Sequence, residues 1–436
     1  MHLLTQGLDL NKMANTLPIS DSLFKKRLRK FKSLKRGYYS LIILGSLYFI
    51  SLIAPLLISN KALIICYANG QYEENEIFID ANNNNKWDEN EIFDDEYEYF
   101  FPAFTNFIST IAPDKFYEAS FFGQDSVYGK KRFGEPHYRL LQKQFQQNNN
   151  GNYVIMPIYP FGPYEEVLSE RDELYIDSNN NGKWDKGELF TDNNNNGQRD
   201  EYYPATFPDS INILGTDNQG RDVFSRLIYG LKVSLTFAIV VTFFSYTIGI
   251  ILGGLLGYFG GKVDLFGLRI IEIFSAMPFL FLMMILGQIF KPNIMLLALM
   301  YVFINGWLGI SWYVRGEFYR EKSKDYVSAA VSMGQSTWKI IIKHILPNAL
   351  TPIITFAPFA VIGYISALVS LDFLGFGLQP PTPSWGELLV QGKANLQYWH
   401  LILVPLSAIG ITLFLITFIG EAVREAFDPK VFSRLR

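Results

Sequence analysis

Apolar residues run in long unbroken stretches near the start of this chain and through its second half, with a polar, asparagine-rich stretch between them. A helix needs about 20 mostly apolar residues to cross a bilayer core. Six runs reach that length: 38–59, 233–258, 270–290, 293–314, 350–370 and 400–419. The pattern predicts an all-α polytopic membrane protein with six transmembrane helices. The first run is longer than the roughly 7–15 residues of a signal-peptide core, and no small-residue cleavage site follows it, so it reads as a span.

Composition agrees. Of 436 residues, 49 % are hydrophobic, 16 % aromatic and only 18 % charged, against roughly 25 % charged in ordinary soluble proteins. The net charge of −3 hides a division. Residues 66–210 hold 27 acids against 11 bases, and the remainder holds 14 acids against 27 bases. An acidic aqueous insert within a basic, apolar chain is the expected organisation. No basic face accompanies the aromatics, which excludes a nucleic-acid binder. A single cysteine, Cys66, excludes an intrachain disulfide or a cysteine-built metal site. The four histidines are scattered, and no phosphate-binding glycine loop or hydrolase motif occurs, so the chain is not expected to be an enzyme.

Eight bases between Lys25 and Arg36 precede the first run, which puts the N-terminus in the cytoplasm by the positive-inside rule. Six spans then return the C-terminus to the cytoplasm and leave 60–231 outside. The loop 315–348 comes out cytoplasmic with six bases, and the opposite loop 371–399 has only Lys393. Domains follow: a basic segment 1–37, a first span 38–59, an outer insert 60–231, a five-helix core 232–420 and a tail 421–436. Gly249, Gly253, Gly257 and Gly261 fall four apart, a spacing that lets another backbone approach one helix face. Arg269 and Glu272 sit at a span edge, and no chain of intramembrane carboxylates suggests a proton relay. The spans also show no inverted repeat.

Asp325–Asn348 reads as a short helix, a break at Gly334, a second helix and a stop at Pro347, with Ala329 and Ala330 giving one small face. A short exposed helix of this kind suits a groove in another protein. The stretch, which opens at Asp325, resembles the "EAA" loop of ABC-importer permease subunits, with Ala329, Ala330, Gly334 and Pro347 in register and Ser328 at the family's glutamate position. LGTDNQGRDVFSRLIYGLKVSL (214–235), LDFLGFGLQPPTPSWGELL (371–389), GEAVREAFDP (420–429), RIIEIFSAMPFLFL (269–282) and CYANGQYEE (66–74) are similar to the dipeptide, oligopeptide and microcin C class of that family. The likeness covers 20–65 and 205–432 well and 66–204 in patches. It implies the ABC-importer permease fold in the inner membrane and a coupling helix at 325–337. It also implies a segment 214–226 that enters the second span as a short amphipathic element. The implied partners are a second permease subunit, cytoplasmic ATP-binding subunits that carry the hydrolysis, and an extracytoplasmic solute-binding protein.

The outer insert carries a repeat. IFIDANNNNKWDENEIFDD (77–95) matches LYIDSNNNGKWDKGELFTD (174–192). Each follows the EF-hand-like calcium loop, with side-chain oxygens at positions 1, 3, 5, 9 and 12 and a backbone carbonyl at 7. The expected calcium ligands are Asp80, Asn82, Asn84, Lys86, Asp88 and Glu91 in one copy. In the other they are Asp177, Asn179, Asn181, Lys183, Asp185 and Glu188. A third copy at 192–203 has Tyr203 where the bidentate glutamate belongs. Two readings follow. One is a peptide-importer permease that forms half a pathway; the other is a calcium-binding membrane receptor or anchor whose outer insert is the working part.

Overall fold

The computed structural model describes residues 23–67, 98–104, 124–127, 130–133, 138–148, 151–166, 185–187, 189–190 and 205–428. It begins with a basic helix, α1 (Leu23–Ser33), then α2 (Lys35–Leu52) and a single turn at Ala54–Leu57. Beyond these comes a small mixed region of strands and one helix. Strand β1 (Ile64–Tyr67) pairs antiparallel on one side with β2 (Glu98–Phe100) and on the other with β5 (Tyr153–Ile155). Between them lie the hairpin β3 (Gln124–Val127) and β4 (Lys130–Phe133), and helix α3 (Tyr138–Asn148). Ala62, Ile65, Tyr138, Phe145 and Val154 bury together under this sheet as a small separate core.

The main bundle starts at α4 (Val223–Phe259) and continues through α5 (Gly261–Ala276), α6 (Phe279–Phe290) and α7 (Ile294–Tyr301). A π-turn at Val302–Gly306 leads to α8 (Leu308–Lys322) and α9 (Asp325–Ser332). Then come α10 (Thr337–Ile340), a second π-turn at Ile341–Ile345, α11 (Leu346–Phe373), α12 (Trp385–Ala394) and α13 (His400–Phe427). Large apolar side chains such as Phe243, Phe266, Phe281, Phe303 and Phe414 point outward. That surface suits lipid rather than water.

Among the described residues, three helices are long and apolar enough to cross a membrane: α4, the helix running through 337–373, and α13. The number rises to five if each of two bent pairs forms one span. The run at 270–290 is divided between α5 and α6, which meet at 72°. Pro278 supplies no N–H and pushes Met277 into the extended region, ψ 130°, so the helix breaks there. The run at 293–314 bends by 49° after the π-turn. The run at 38–59 is not among the five. Its helix stops after 18 residues at Leu52, carries Lys35 and Arg36 in its first turn, and gives way to Pro55.

The glycine spacing has the expected result at three of four positions. A Cβ on Gly249 would lie 1.9 Å from Ile310, on Gly253 2.4 Å from the Ser311 carbonyl oxygen, and on Gly257 2.6 Å from that of Arg315. These glycines let α4 lie directly against the α8 backbone. Gly261 differs, because α4 ends at Phe259 and Gly261 begins α5 with φ +53°.

Candidate functional site: coupling segment and membrane cavity

Two regions bear on function, one at the ends of the spans and one within the bundle. The first is α9 to α11. Asp325 opens α9, where a carboxylate complements the helix dipole. Val327 and Ala330 turn inward and pack with Val314, Phe318, Ile340, Ile341 and Ile345. Ser328 and Ala329 face out. The expected small face of Ala329 and Ala330 is therefore not formed, because neighbours on a helix point about 100° apart. Gly334 ends the helix at φ +73°, and a Cβ there would meet no atom within 4 Å. Its N–H bonds the Val331 carbonyl. A left-handed residue here is what turns the chain toward α10.

Pro347 does not stop the second helix. The chain is helical without interruption from Thr337 to Phe373, and Pro347 sits in the first turn of α11. The π-turn at Ile341–Ile345 widens the coil just before it. That relieves the clash a proline ring makes with the preceding turn. The segment is fixed to the bundle by polar contacts. Glu321 accepts from Lys324 (2.7 Å) and from the Tyr326 hydroxyl (2.8 Å). Asn348 donates to Tyr326 and to the His344 carbonyl. His344 and Gln335 meet at 2.8 Å. Outside this frame Val331, Met333 and Trp338 are 56, 69 and 60 % exposed. Three apolar side chains in the open, next to a helix break, form a knob that lacks a partner among the described residues.

The second region is a cavity of about 540 Å³ between α4, α7, α8 and α11. Tyr246, Tyr301, Tyr313 and Tyr364 line it with Asn305, and among the described residues no Asp, Glu, Lys, Arg or His does. The π-turn at Val302–Gly306 places Asn305 and Gly306 on its wall. Gly306 is required there, since a Cβ would lie 2.2 Å from the Ser245 hydroxyl. At Gly309 and Gly363 the wall is open, with nothing within 4 Å of a Cβ. Sequence reading missed this cavity; the one mid-run amide, Asn305, was the available clue.

A third set of residues supports the architecture rather than the chemistry. Residues 214–222 form turns instead of an amphipathic segment, with Gly215 and Gly220 at φ +74° and +72°. Asp217, Arg221 and Arg226 are almost wholly buried. Arg221 donates to Asp217 (2.8 Å) and to Glu387 on α12 (2.8 Å), and Arg226 pairs with the same glutamate. Asp222 caps α4 by accepting from the Ser225 N–H. The Trp385 indole donates to the Leu227 carbonyl, and Gly230 leaves room for its ring.

Of the expected calcium ligands only Asp185 lies within the described residues. Asp80, Asn82, Asn84, Lys86, Asp88, Glu91, Asp177, Asn179, Asn181, Lys183 and Glu188 lie outside them.

Residues 246–433 match the binding-protein-dependent transport system inner membrane component family. Over 407 residues the chain is 35 % identical to the peptidoglycan transport system permease protein YejE of Agrobacterium fabrum, covering 93 % of each. The chain belongs to this permease family. It is also 48 % identical over 223 residues to the inner membrane ABC transporter permease protein YejE of Escherichia coli, covering 51 % of this chain and 65 % of that one. It is 40 % identical over 244 residues to the oligopeptide transport system permease protein OppC of Haemophilus influenzae, covering 52 % and 78 %. This permease is therefore an inner-membrane, multi-pass transporter subunit. The first alignment spans so much of the chain that it necessarily runs through most of 60–231. Most of 60–231 is thus aligned with a permease, and the receptor reading has no support.

Proposed function

We propose that this permease forms half of the translocation pathway of an ATP-driven importer for peptides or peptide-like solutes. The cavity carries the reading. Tyrosine hydroxyls and an amide can bond peptide groups, and aromatic faces can take side chains, without selecting for one charge. Its open side at Gly309 and Gly363 suits completion by a second permease subunit. The relatives' names, peptidoglycan and oligopeptide transport system permeases, support the substrate class.

The knob of Val331, Met333 and Trp338 seats in a groove of a cytoplasmic ATP-binding subunit, where hydrolysis takes place. An extracytoplasmic solute-binding protein delivers the cargo to the opposite face. Six spans, with α2 as the first, place both termini in the cytoplasm and 60–231 in the periplasm; the basic loop 315–348 supports this orientation. Calcium at the 80–91 and 177–188 loops rests on their ligand series. It is tested by the melting temperature of the full chain, which should rise with calcium and fall back with chelator.

The deciding experiment uses Gly334→Trp. A Cβ there meets no atom within 4 Å, so the subunit should still insert and assemble. An L-residue strained into the left-handed region should misplace the knob. Uptake by the reconstituted transporter should then be lost while ATP hydrolysis becomes uncoupled from it. Normal uptake by this variant would overturn the coupling role.

A further inference from the structure

Helix α1 lies across the ends of α8, α11 and α13, and together they enclose a pocket of about 460 Å³. Four cations reach it, Arg27, Arg320, Lys324 and Arg424, against two carboxylates, Glu321 and Asp428. The carboxylates do not balance them. Glu321 is engaged by Lys324 at 2.7 Å and lies 3.7 Å from Arg320, which also pairs with Glu317. Arg27 is held in place by a hydrogen bond to the Thr351 hydroxyl (3.4 Å) and by the Phe427 ring, 4.8 Å from its guanidinium. Among the described residues it has no carboxylate partner. Arg424 makes no side-chain hydrogen bond or ion pair among them.

Two guanidinium groups directed at one pocket repel each other unless an anion lies between them. Their fork geometry matches a phosphate or carboxylate oxygen pair. Helix α1 strengthens the local field, since LFKKRLRKFKS contains six cations and no acid. The remaining wall is mixed, with Phe427 and Pro352 beside Asn348, Thr351 and Thr355. A free hydrated anion gains nothing from Phe427 and Pro352, whereas an ester-linked phosphate can set its acyl chain against them. The pocket also lies where the apolar runs at 350–370 and 400–419 meet charged residues, a position that suits a lipid headgroup.

We propose that Arg27 and Arg424 together hold the phosphate of an anionic phospholipid at the cytoplasmic ends of α8, α11 and α13. The word cytoplasmic rests on the orientation proposed above; the binding does not. Because Glu321 and Lys324 form one wall and directly precede α9, an occupied pocket would brace the base of the coupling segment.

Native mass spectrometry of the full chain in detergent, with phosphatidylglycerol or phosphatidylcholine added, tests the proposal. The wild type should retain phosphatidylglycerol in preference. Arg27→Gln with Arg424→Gln should reduce that retention about tenfold, the order expected for losing charge-assisted bonds to phosphate. Arg27→Lys with Arg424→Lys should restore the preference, and Lys393→Gln, in the opposite loop, should leave it unchanged. Inorganic phosphate in excess should not displace the lipid. Equal retention of both lipids, or a glutamine pair that retains phosphatidylglycerol as the wild type does, overturns the site. Displacement by inorganic phosphate overturns the lipid as its source. Labelling of Ser328→Cys by an impermeant reagent in sealed vesicles reports the orientation separately.

Discussion

Asp222 is a carboxylate taken almost wholly out of water just before the longest helix. Burial pushes its pKa up, and bonds from Ser225, Tyr159 and Asn212 offset this only in part. The folded chain therefore keeps a proton on Asp222 at pH values where the unfolded chain has lost it. The stability it contributes is greatest near the ordinary carboxylate value of about 4 and falls as pH rises through the raised one. Asp222→Asn removes this titration. The melting temperature of the wild type relative to the variant should thus decline as pH is raised from about 4, and a flat difference would contradict the assignment. Asp222→Ala also loses the helix cap and should cost about 1 kcal/mol at any pH. The sequence announced this residue only as an oxygen side chain before an apolar run. Its burial depends on Tyr159, 63 positions earlier, which donates at 2.7 Å and is beyond the reach of local pattern.

Among the elements, α4 and α8 form the tightest seam, and three glycines make it possible. Gly253→Leu should force the helices apart, because the Ser311 carbonyl would lie 2.4 Å from its Cβ. The cost should be at least 1–3 kcal/mol, about that of overpacking a core, and visible as a lower melting temperature in detergent. Gly309→Leu, where nothing lies within 4 Å of a Cβ, should leave stability nearly unchanged; equal losses would show that the seam does not depend on close approach. The glycine spacing was legible because a helix repeats on one face every four residues. The helix breaks were not. Pro278 breaks its helix, while Pro347, Pro352, Pro358 and Pro405 are carried inside theirs. Proline alone does not distinguish these outcomes. A π-turn and a first-turn position account for Pro347, neither with a strong signature in sequence, whereas Pro352, Pro358 and Pro405 lie deeper in their helices.

Across the whole molecule, Asp217, Arg221, Arg226 and Glu387 join two stretches more than 150 residues apart. Neither motif, LGTDNQGRD nor SWGELL, discloses on its own that it folds against the other. Charges this deeply buried tolerate no missing partner. Arg226→Ala would leave Glu387 and Asp217 without one of their counter-charges, at a cost of about 3–5 kcal/mol. Membrane extracts should then contain less folded permease. Adding Glu387→Gln to Arg226→Ala should recover part of the loss, whereas additive losses would mean the residues act separately.

The small sheet region shows where length can change without harm. The chain leaves at Tyr67 and returns at Tyr153, and these residues are ladder neighbours because Cys66 pairs with Tyr153. It leaves again at Glu166, which bridges Arg221, and returns at Ala205, whose N–H bonds the Asp217 carbonyl. The first pair of ends lies on the sheet and the second on the turns at Asp217 and Arg221. Lengthening a stretch whose ends are held together adds only slowly growing closure entropy, about 0.6 kcal/mol per doubling. Each asparagine-rich repeat falls between one such pair of ends, so residues can be gained or lost there while the main bundle keeps its geometry.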